Sequence, residues 1–249
     1  HAILSGLVGS EMCIRDSRTT AEPDGDGWVV NGQKVWCSGG RYSDWGILMA
    51  RTDSSLPKHR GISFFLINMH SEGIETRPLR QMTGEAEFDE VFFTDVVMPQ
   101  SALLGPLNGG WHVGMDILTK ERGSIGAGAI TMQRRLDTLI SLAEGELTHN
   151  KRQQLVHLLT QGKTYHYLSQ RQGSAASVAS SLNKLGITEL MFDIANLRAD
   201  IAGIEALLSD SESDSLLSAP GARIAGGTSQ IQKNIIGERI LGLPKEPNP

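Results

Sequence analysis

Apolar positions along this chain change their rhythm near residue 106. Before it they fall in short runs bounded by Gly, Asp and Asn, the signature of strands and turns. Trp28-Val29-Val30 and Gln33-Lys34-Val35-Trp36 flank Asn31-Gly32, a pair that tolerates the positive φ angles of a tight hairpin turn. Asp24-Gly25-Asp26-Gly27 predicts a further turn ahead of them. Gly46–Ala50 and Gly61–Asn68 are apolar enough for buried strands, and Gly73–Arg80 and Phe88–Met98 read as two more. Regular strands with turns between them predict a small antiparallel β-barrel or sandwich.

After Pro106 the spacing becomes helical. One stretch opens at Gly109-Gly110-Trp111 and reaches Met132, with Trp111, Met115 and Leu118 on one face. Others cover Arg134–Glu144 and Lys151–Arg171. In a fourth, Leu182, Leu185, Leu190, Ile194, Leu197, Ile201, Ile204 and Leu208 form a stripe that predicts a long buried helix. Ser209–Ser218 is rich in Ser and Asp and reads as a loop. A last helix is expected from Thr228, its N-cap, with Ile231, Ile235 and Leu241 inward and Pro244 as its stop. Long amphipathic helices with short joins predict a four-helix bundle. The fold class is therefore α+β: a β domain over 17–105 and an all-α domain over 106–249. His1–Asp16, which shows no sustained period and resembles translated adapter sequence, is set aside as non-native.

Composition narrows the function. With 23 basic and 28 acidic side chains the formal charge is −5, and no basic cluster exceeds Arg134-Arg135, so no nucleic-acid partner is expected. No apolar run would span a bilayer, so no membrane insertion is expected. Two cysteines, Cys13 and Cys37, support neither a disulfide framework nor a thiolate zinc site, and a reducing cytoplasm is the default location. The histidines lack metal-ligand spacing. The glycines of Gly123–Gly128 follow no strand and form no dinucleotide fingerprint.

Three passages carry a more specific signal. They are Gly25–Ser38; Arg51-Thr52-Asp53 with Met82-Thr83-Gly84 and Val97-Met98-Pro99; and Ala225–Asn234 followed by Gly237-Glu238-Arg239 and Leu241-Gly242-Leu243-Pro244. In order and spacing they resemble the middle and C-terminal domains of the acyl-CoA dehydrogenase family, most closely its bacterial branches. The resemblance implies FAD as cofactor and an acyl-CoA thioester oxidised to the trans-2-enoyl-CoA. It implies electron-transfer flavoprotein as acceptor and a homo- or hetero-oligomer, dimer or tetramer. The family's N-terminal helical domain is absent here. So is the flavin-holding loop expected just before Arg18, and this fragment alone is expected to be inactive. The family's cross-subunit flavin motif after the second long helix is also missing. A non-catalytic partner subunit of a hetero-oligomeric enzyme, or an acyl-CoA oxidase, are the competing readings.

The reaction needs a base for an α proton, hydrogen bonds for the developing enolate, and a placed hydride acceptor. Many relatives carry the base as a Glu where this chain has Gly226. Others carry it in a Leu-x-x-Glu-Arg motif, which matches Leu118–Arg122. Glu121 is thus the candidate base and Arg122 the candidate acyl-CoA contact; their bland readings are a solvated helix Glu and a structural ion pair. By the same resemblance Trp36 lies against the flavin, although an aromatic at a strand end is often plain core. Ser38 offers its hydroxyl to the flavin N5 edge or is a turn residue. Gly227, Thr228, Ser229 and Gln230 meet the cofactor's phosphate or ribose, or serve only to cap a helix.

Overall fold

The computed structural model describes residues 18–57, 59–123, 126–143, 145, 147–170, 175–208 and 211–244. The side chains of residues 118–130, 175–179 and 211–214 lie outside it, as does the segment read as non-native. The chain divides into two compact units between Leu118 and Thr119.

The first unit is built on one seven-stranded sheet. In chain order its strands are β1 (Thr20–Asp24), β2 (Gly27–Ser38), β3 (Trp45–Arg51), β4 (Ile62–Asn68), β5 (Ile74–Leu79), β6 (Phe88–Pro99) and β7 (Leu103–Leu104). Their order across the sheet is β5-β6-β2-β1-β3-β4-β7. Strands β5 and β7 are its two ends, so of the expected barrel or sandwich no closed barrel forms among the described strands. Nor is the sheet wholly antiparallel, because β1 meets β3 in parallel at Thr20 and Arg51.

The expected hairpin at Asn31-Gly32 is also absent. Strand β2 runs straight through both residues, and the turn is the other one, with Asp24 paired to Gly27 and Gly25 left-handed at φ 55°. Gly32 serves a different need. A Cβ on it would stand 2.6 Å from Thr19 Cα, and its φ is 136°. Asn31 instead bridges to β6 at a register shift, its amide donating to Asp95 Oδ1 while its Oδ1 accepts from the Asp95 N–H.

One face of the sheet holds Ala21, Trp28, Val30, Leu48, Phe65, Ile67, Val91, Phe93 and Met98. On the other, Met49, Ile62 and Phe64 are covered by Trp111, Val113, Met115 and Ile117 of α1 (Gly110–Gly123), which is why β3 and β4 read as continuously apolar. Helix α1 docks through Gly110, where a Cβ would lie 2.5 Å from the Ser63 carbonyl carbon. Thr52 Oγ1 donates to Asn108 Oδ1, and the Asn108 N–H donates to the buried Ser63 hydroxyl.

The second unit is helical: α2 (Gly126–Leu142), α3 (His149–Ser169), α4 (Ala175–Ala202), α5 (Ser211–Ile224) and α6 (Ser229–Ile235). Its core joins Met132, Leu136 and Leu139 of α2, Leu158 of α3, and Ile187, Leu190, Ile194 and Leu197 of α4. Helix α4 packs against α2, α3, α5 and α6. Small residues permit the close crossings: Gly162 receives Leu136, and Gly186 receives the Tyr165 ring. Helix α4 stops one residue before the left-handed Gly203, which leaves Ile204 82% and Leu208 63% exposed rather than buried in the predicted stripe. The expected loop over Ser209–Ser218 is largely helix α5. Ser and Asp are poor helix formers in isolation, but α5 packs on α4 and buries Ala219, and tertiary contact overrides the propensity.

Candidate functional site

In the first unit, Trp36 and Ser38 sit where β2 loses register with β6. Lys34 pairs with Val91 and Cys37 with Asp89, so Val35 and Trp36 together oppose Glu90: a β-bulge. Trp36 takes a left-handed backbone at φ 62°, uncommon for a bulky residue and a cost the fold carries at this point. Its ring is 45% exposed and meets Phe88 edge-on at 5.8 Å, so it is not core. Ser38 ends the strand half-buried, and its hydroxyl makes no hydrogen bond to another described residue.

The bulge is flanked by two titratable groups. Burial pulls the Lys34 ammonium down to about 8. It pushes the Cys37 thiol up to about 11, against the opposing charge of Lys34 and with the smaller help of the Asp89 carboxylate. A buried, protonated thiol is a poor nucleophile, so Cys37 is packing and not chemistry.

In the second unit, Gly226 and Gly227 are both left-handed, at φ 66° and 99°, and lead into α6. Thr228 caps that helix, its hydroxyl accepting from the Ile231 N–H at 3.2 Å. Ser229 is buried and donates to Glu189 Oε1 at 2.7 Å. Gln230 is exposed. Both the Thr228 and the Ser229 hydroxyls thus make hydrogen bonds within the protein. The residues α6 turns fully inward are Ser229 and Gln232, not the expected isoleucines, and Leu241 is 66% exposed beyond a single π-helical turn, Ile236–Ile240.

Sequence reading missed the support of this turn. Glu189 Oε2 pairs with Arg223 Nη2 at 2.9 Å, and the guanidinium lies over the Phe192 ring. The buried Lys184 donates to the Arg223 carbonyl, and its Cε is the nearest atom, at 3.9 Å, to where a Cβ on Gly226 would stand. Gln232 donates to the Gly226 carbonyl while its buried Oε1 has no partner among the described residues. The available signal was Lys184, a cation within the stretch read as a buried stripe. Glu121 and Arg122 fall in the last turn of α1, with side chains outside the described residues. The structure thus assembles Trp36 with Ser38 in one unit and Gly227 to Gln230 in the other. Among the described residues no His, Cys, Asp and Glu cluster could hold a metal ion, and no helix is long and apolar enough to cross a membrane.

Comparison with known proteins places these features in a family. The profile of the acyl-CoA dehydrogenase middle domain matches residues 7–96, and that of the C-terminal domain matches residues 108–241. Acyl-CoA dehydrogenase IpdE1 of Mycobacterium tuberculosis is 36% identical over 251 residues, covering 96% of this chain and 65% of the relative. Among solved structures, a Tcur3481-Tcur3483 steroid acyl-CoA dehydrogenase variant superposes with a TM-score of 0.86 at 22% identity, over 98% of this chain and 69% of the other. The ChsE4-ChsE5 complex of Mycobacterium tuberculosis does so at 0.81 and 26%, over 98% and 69%. The chain belongs to the acyl-CoA dehydrogenase family, whose members are flavin oxidoreductases of lipid metabolism with FAD as cofactor. It spans 65%, 34% and 64% of the length of three curated relatives it matches.

The residues present fit that cofactor in part. An exposed indole, and two residues on a hydroxyl with no hydrogen bond among the described residues, suit a flavin ring and its polar edge. The buried Gln232 Oε1, without a partner among the described residues, is an acceptor that a cofactor hydroxyl would satisfy.

Proposed function

We propose that this chain is the β and C-terminal helical part of an enzyme that removes hydrogen from the α and β carbons of an acyl-CoA thioester, giving the trans-2-enoyl-CoA. Trp36 and Ser38 would hold the flavin ring, and the Gly227–Gln230 turn with Gln232 the rest of FAD, chiefly through backbone groups. When bound, FAD supplies the acceptor for the β hydride. Glu121 takes the α proton, and Arg122 steadies the acyl-CoA.

The observation that carries the choice of base is the backbone at Gly226. A φ of 66° is one that side-chain-bearing residues rarely adopt, so the position that holds Glu in many relatives is shaped here for glycine. On this reading the carboxylate comes from elsewhere, and the Leu118–Arg122 motif, which resembles that of the other relatives, carries Glu121 in α1.

The relatives also support the assembly. One similar structure is a complex of two different chains, ChsE4 and ChsE5, and another comes from work on the electron transferring flavoprotein of Acidaminococcus fermentans. We read this chain as one subunit of an oligomer, homo- or hetero-, that passes electrons to electron-transfer flavoprotein in the cytoplasm.

The test is anaerobic flavin reduction by acyl-CoA in the full-length enzyme. Glu121→Gln keeps size and hydrogen bonding but cannot accept the proton, so bleaching should slow by about 10²- to 10⁴-fold with FAD content unchanged. Bleaching at the parent rate would remove Glu121 from the mechanism.

A further inference from the structure

The bulge that presents Trp36 and Ser38 is wrapped around one buried carboxylate. Asp89 has no solvent exposure. Its backbone pairs with Cys37, between Trp36 and Ser38. Its side chain reaches past Ser38 to the following turn, where Oδ2 accepts the Arg41 N–H at 3.0 Å. Oδ1 stands 3.7 Å from Arg41 Nη1. The same guanidinium donates to the Ala86 carbonyl and lies over the Tyr42 ring. Gly40 seats on the carboxylate, and a Cβ there would stand 3.3 Å from Asp89 Oδ2. The Gly39 N–H donates to the Glu87 carbonyl, and the Ser43 hydroxyl donates back to the Gly39 carbonyl.

A left-handed Trp and a left-handed Gly, three residues apart, would leave the segment between them many conformations. A single residue closes both ends of it, one through its backbone and the other through its carboxylate. We propose that Asp89 is a positioning residue: by holding Cys37 through the strand register and Arg41 through its carboxylate, it fixes the Trp36 indole and the Ser38 hydroxyl relative to one another. The proposal rests on the reading of those two residues as flavin contacts. Asp89 itself need touch neither cofactor nor substrate. It acts by keeping the indole and the hydroxyl ready before FAD arrives, so that binding does not have to order them.

The experiment has two readouts. In the chain itself, amide hydrogen exchange of Gly39, Arg41, Tyr42 and Ser43 is measured in Asp89→Ala and Asp89→Asn. In the full-length FAD enzyme, the FAD Kd is measured for the same variants, alone and combined with Ser38→Ala or Trp36→Phe. Asp89→Ala should speed exchange of those amides and weaken FAD binding by about tenfold, the scale of one lost hydrogen bond. Asp89→Asn retains an acceptor for the Arg41 N–H and should return most of both. Because Asp89 acts through its neighbours, Asp89→Ala should add little in the Ser38→Ala background; a general loss of stability would instead add in full. If Asp89→Ala does not fold, Gly40→Ala displaces the turn from the carboxylate with the charge intact, and the same two results are expected. Unchanged FAD affinity in Asp89→Ala, while Ser38→Ala or Trp36→Phe weakens it, overturns the positioning role and leaves the flavin reading standing. Unchanged affinity in the Ser38 and Trp36 variants overturns the flavin reading, and the proposal with it.

Discussion

Lys34 and Cys37 stand three residues apart on one strand, and their displaced titrations pull stability in opposite directions. Folded Lys34 gives up its proton near 8, while its ordinary value is 10.5. Between those values the unfolded chain binds more protons, so stability rises with pH. Folded Cys37 keeps its proton to about 11, against an ordinary 9.0. There the unfolded chain loses its proton first, and stability falls across that window. The sum rises from about pH 8 to 9, is level to about 10.5 where the two slopes cancel, then declines. Cys37→Ala removes only the falling limb, which for so buried a thiol is on the order of 2 kcal/mol. Urea midpoints followed by tryptophan fluorescence should therefore stay level between pH 9 and about 10.5 in the parent and rise across that window in the variant. Parallel profiles would show that the thiol does not titrate as its burial implies. The same burial predicts that alkylating reagents leave Cys37 unmodified at neutral pH unless the chain unfolds.

At the level of elements, glycine separates close approach from mere freedom. Gly110 lies under the backbone of Ser63 and Phe64, and Gly221, on α5, has nothing within 4 Å of its would-be Cβ. Gly110→Ala gains helix propensity but must part α1 from β4. It should cost about 1–3 kcal/mol, read in the tryptophan transition. Gly221→Ala should stabilise the helical transition, followed by circular dichroism, by about 0.5–1 kcal/mol. Equal shifts of one sign would contradict the packing described. These elements also mark what was legible in the sequence. Strands β3 and β4 showed as apolar runs, β5 and β6 as strands set between turns, and the cap at Thr228 as local chemistry. Asn31-Gly32 misled because a residue pair suited to a turn is equally suited to a bulge, and only the partner strand decides between them. Helix α5 misled because its propensity is supplied by α4. The Asp89–Arg41 clamp was invisible for the same reason: it joins β6 to a turn far off in sequence, and no local pattern announces the pairing. Trp36 and Ser38, by contrast, are proposed from a contiguous motif.

For the molecule as a whole, the residues assigned to FAD are divided between two compact units, with Trp36 and Ser38 before the boundary at Leu118 and Gly227 to Gln230 after it. The four tryptophans, Trp28, Trp36, Trp45 and Trp111, all precede that boundary, so their fluorescence reports the sheet unit alone. Helical circular dichroism is dominated by α2 to α6, which follow it. This division makes cofactor placement measurable by linkage. A ligand that contacts only one unit stabilises that unit; a ligand that contacts both stabilises both by mass action, about 2.7 kcal/mol at a free concentration about 100 times Kd. If the proposed contacts are right, FAD added to the full-length apoenzyme should raise the tryptophan and the dichroism transitions together. Trp36→Ala should reduce both shifts, although it alters only the sheet unit, because it lowers the affinity that drives each of them. A shift confined to the dichroism would place FAD on the helical unit alone and remove Trp36 and Ser38 from the site. A shift confined to tryptophan would remove the Gly227–Gln230 turn, and leave its paired glycines and the Glu189–Arg223 support as the scaffold of a helix start.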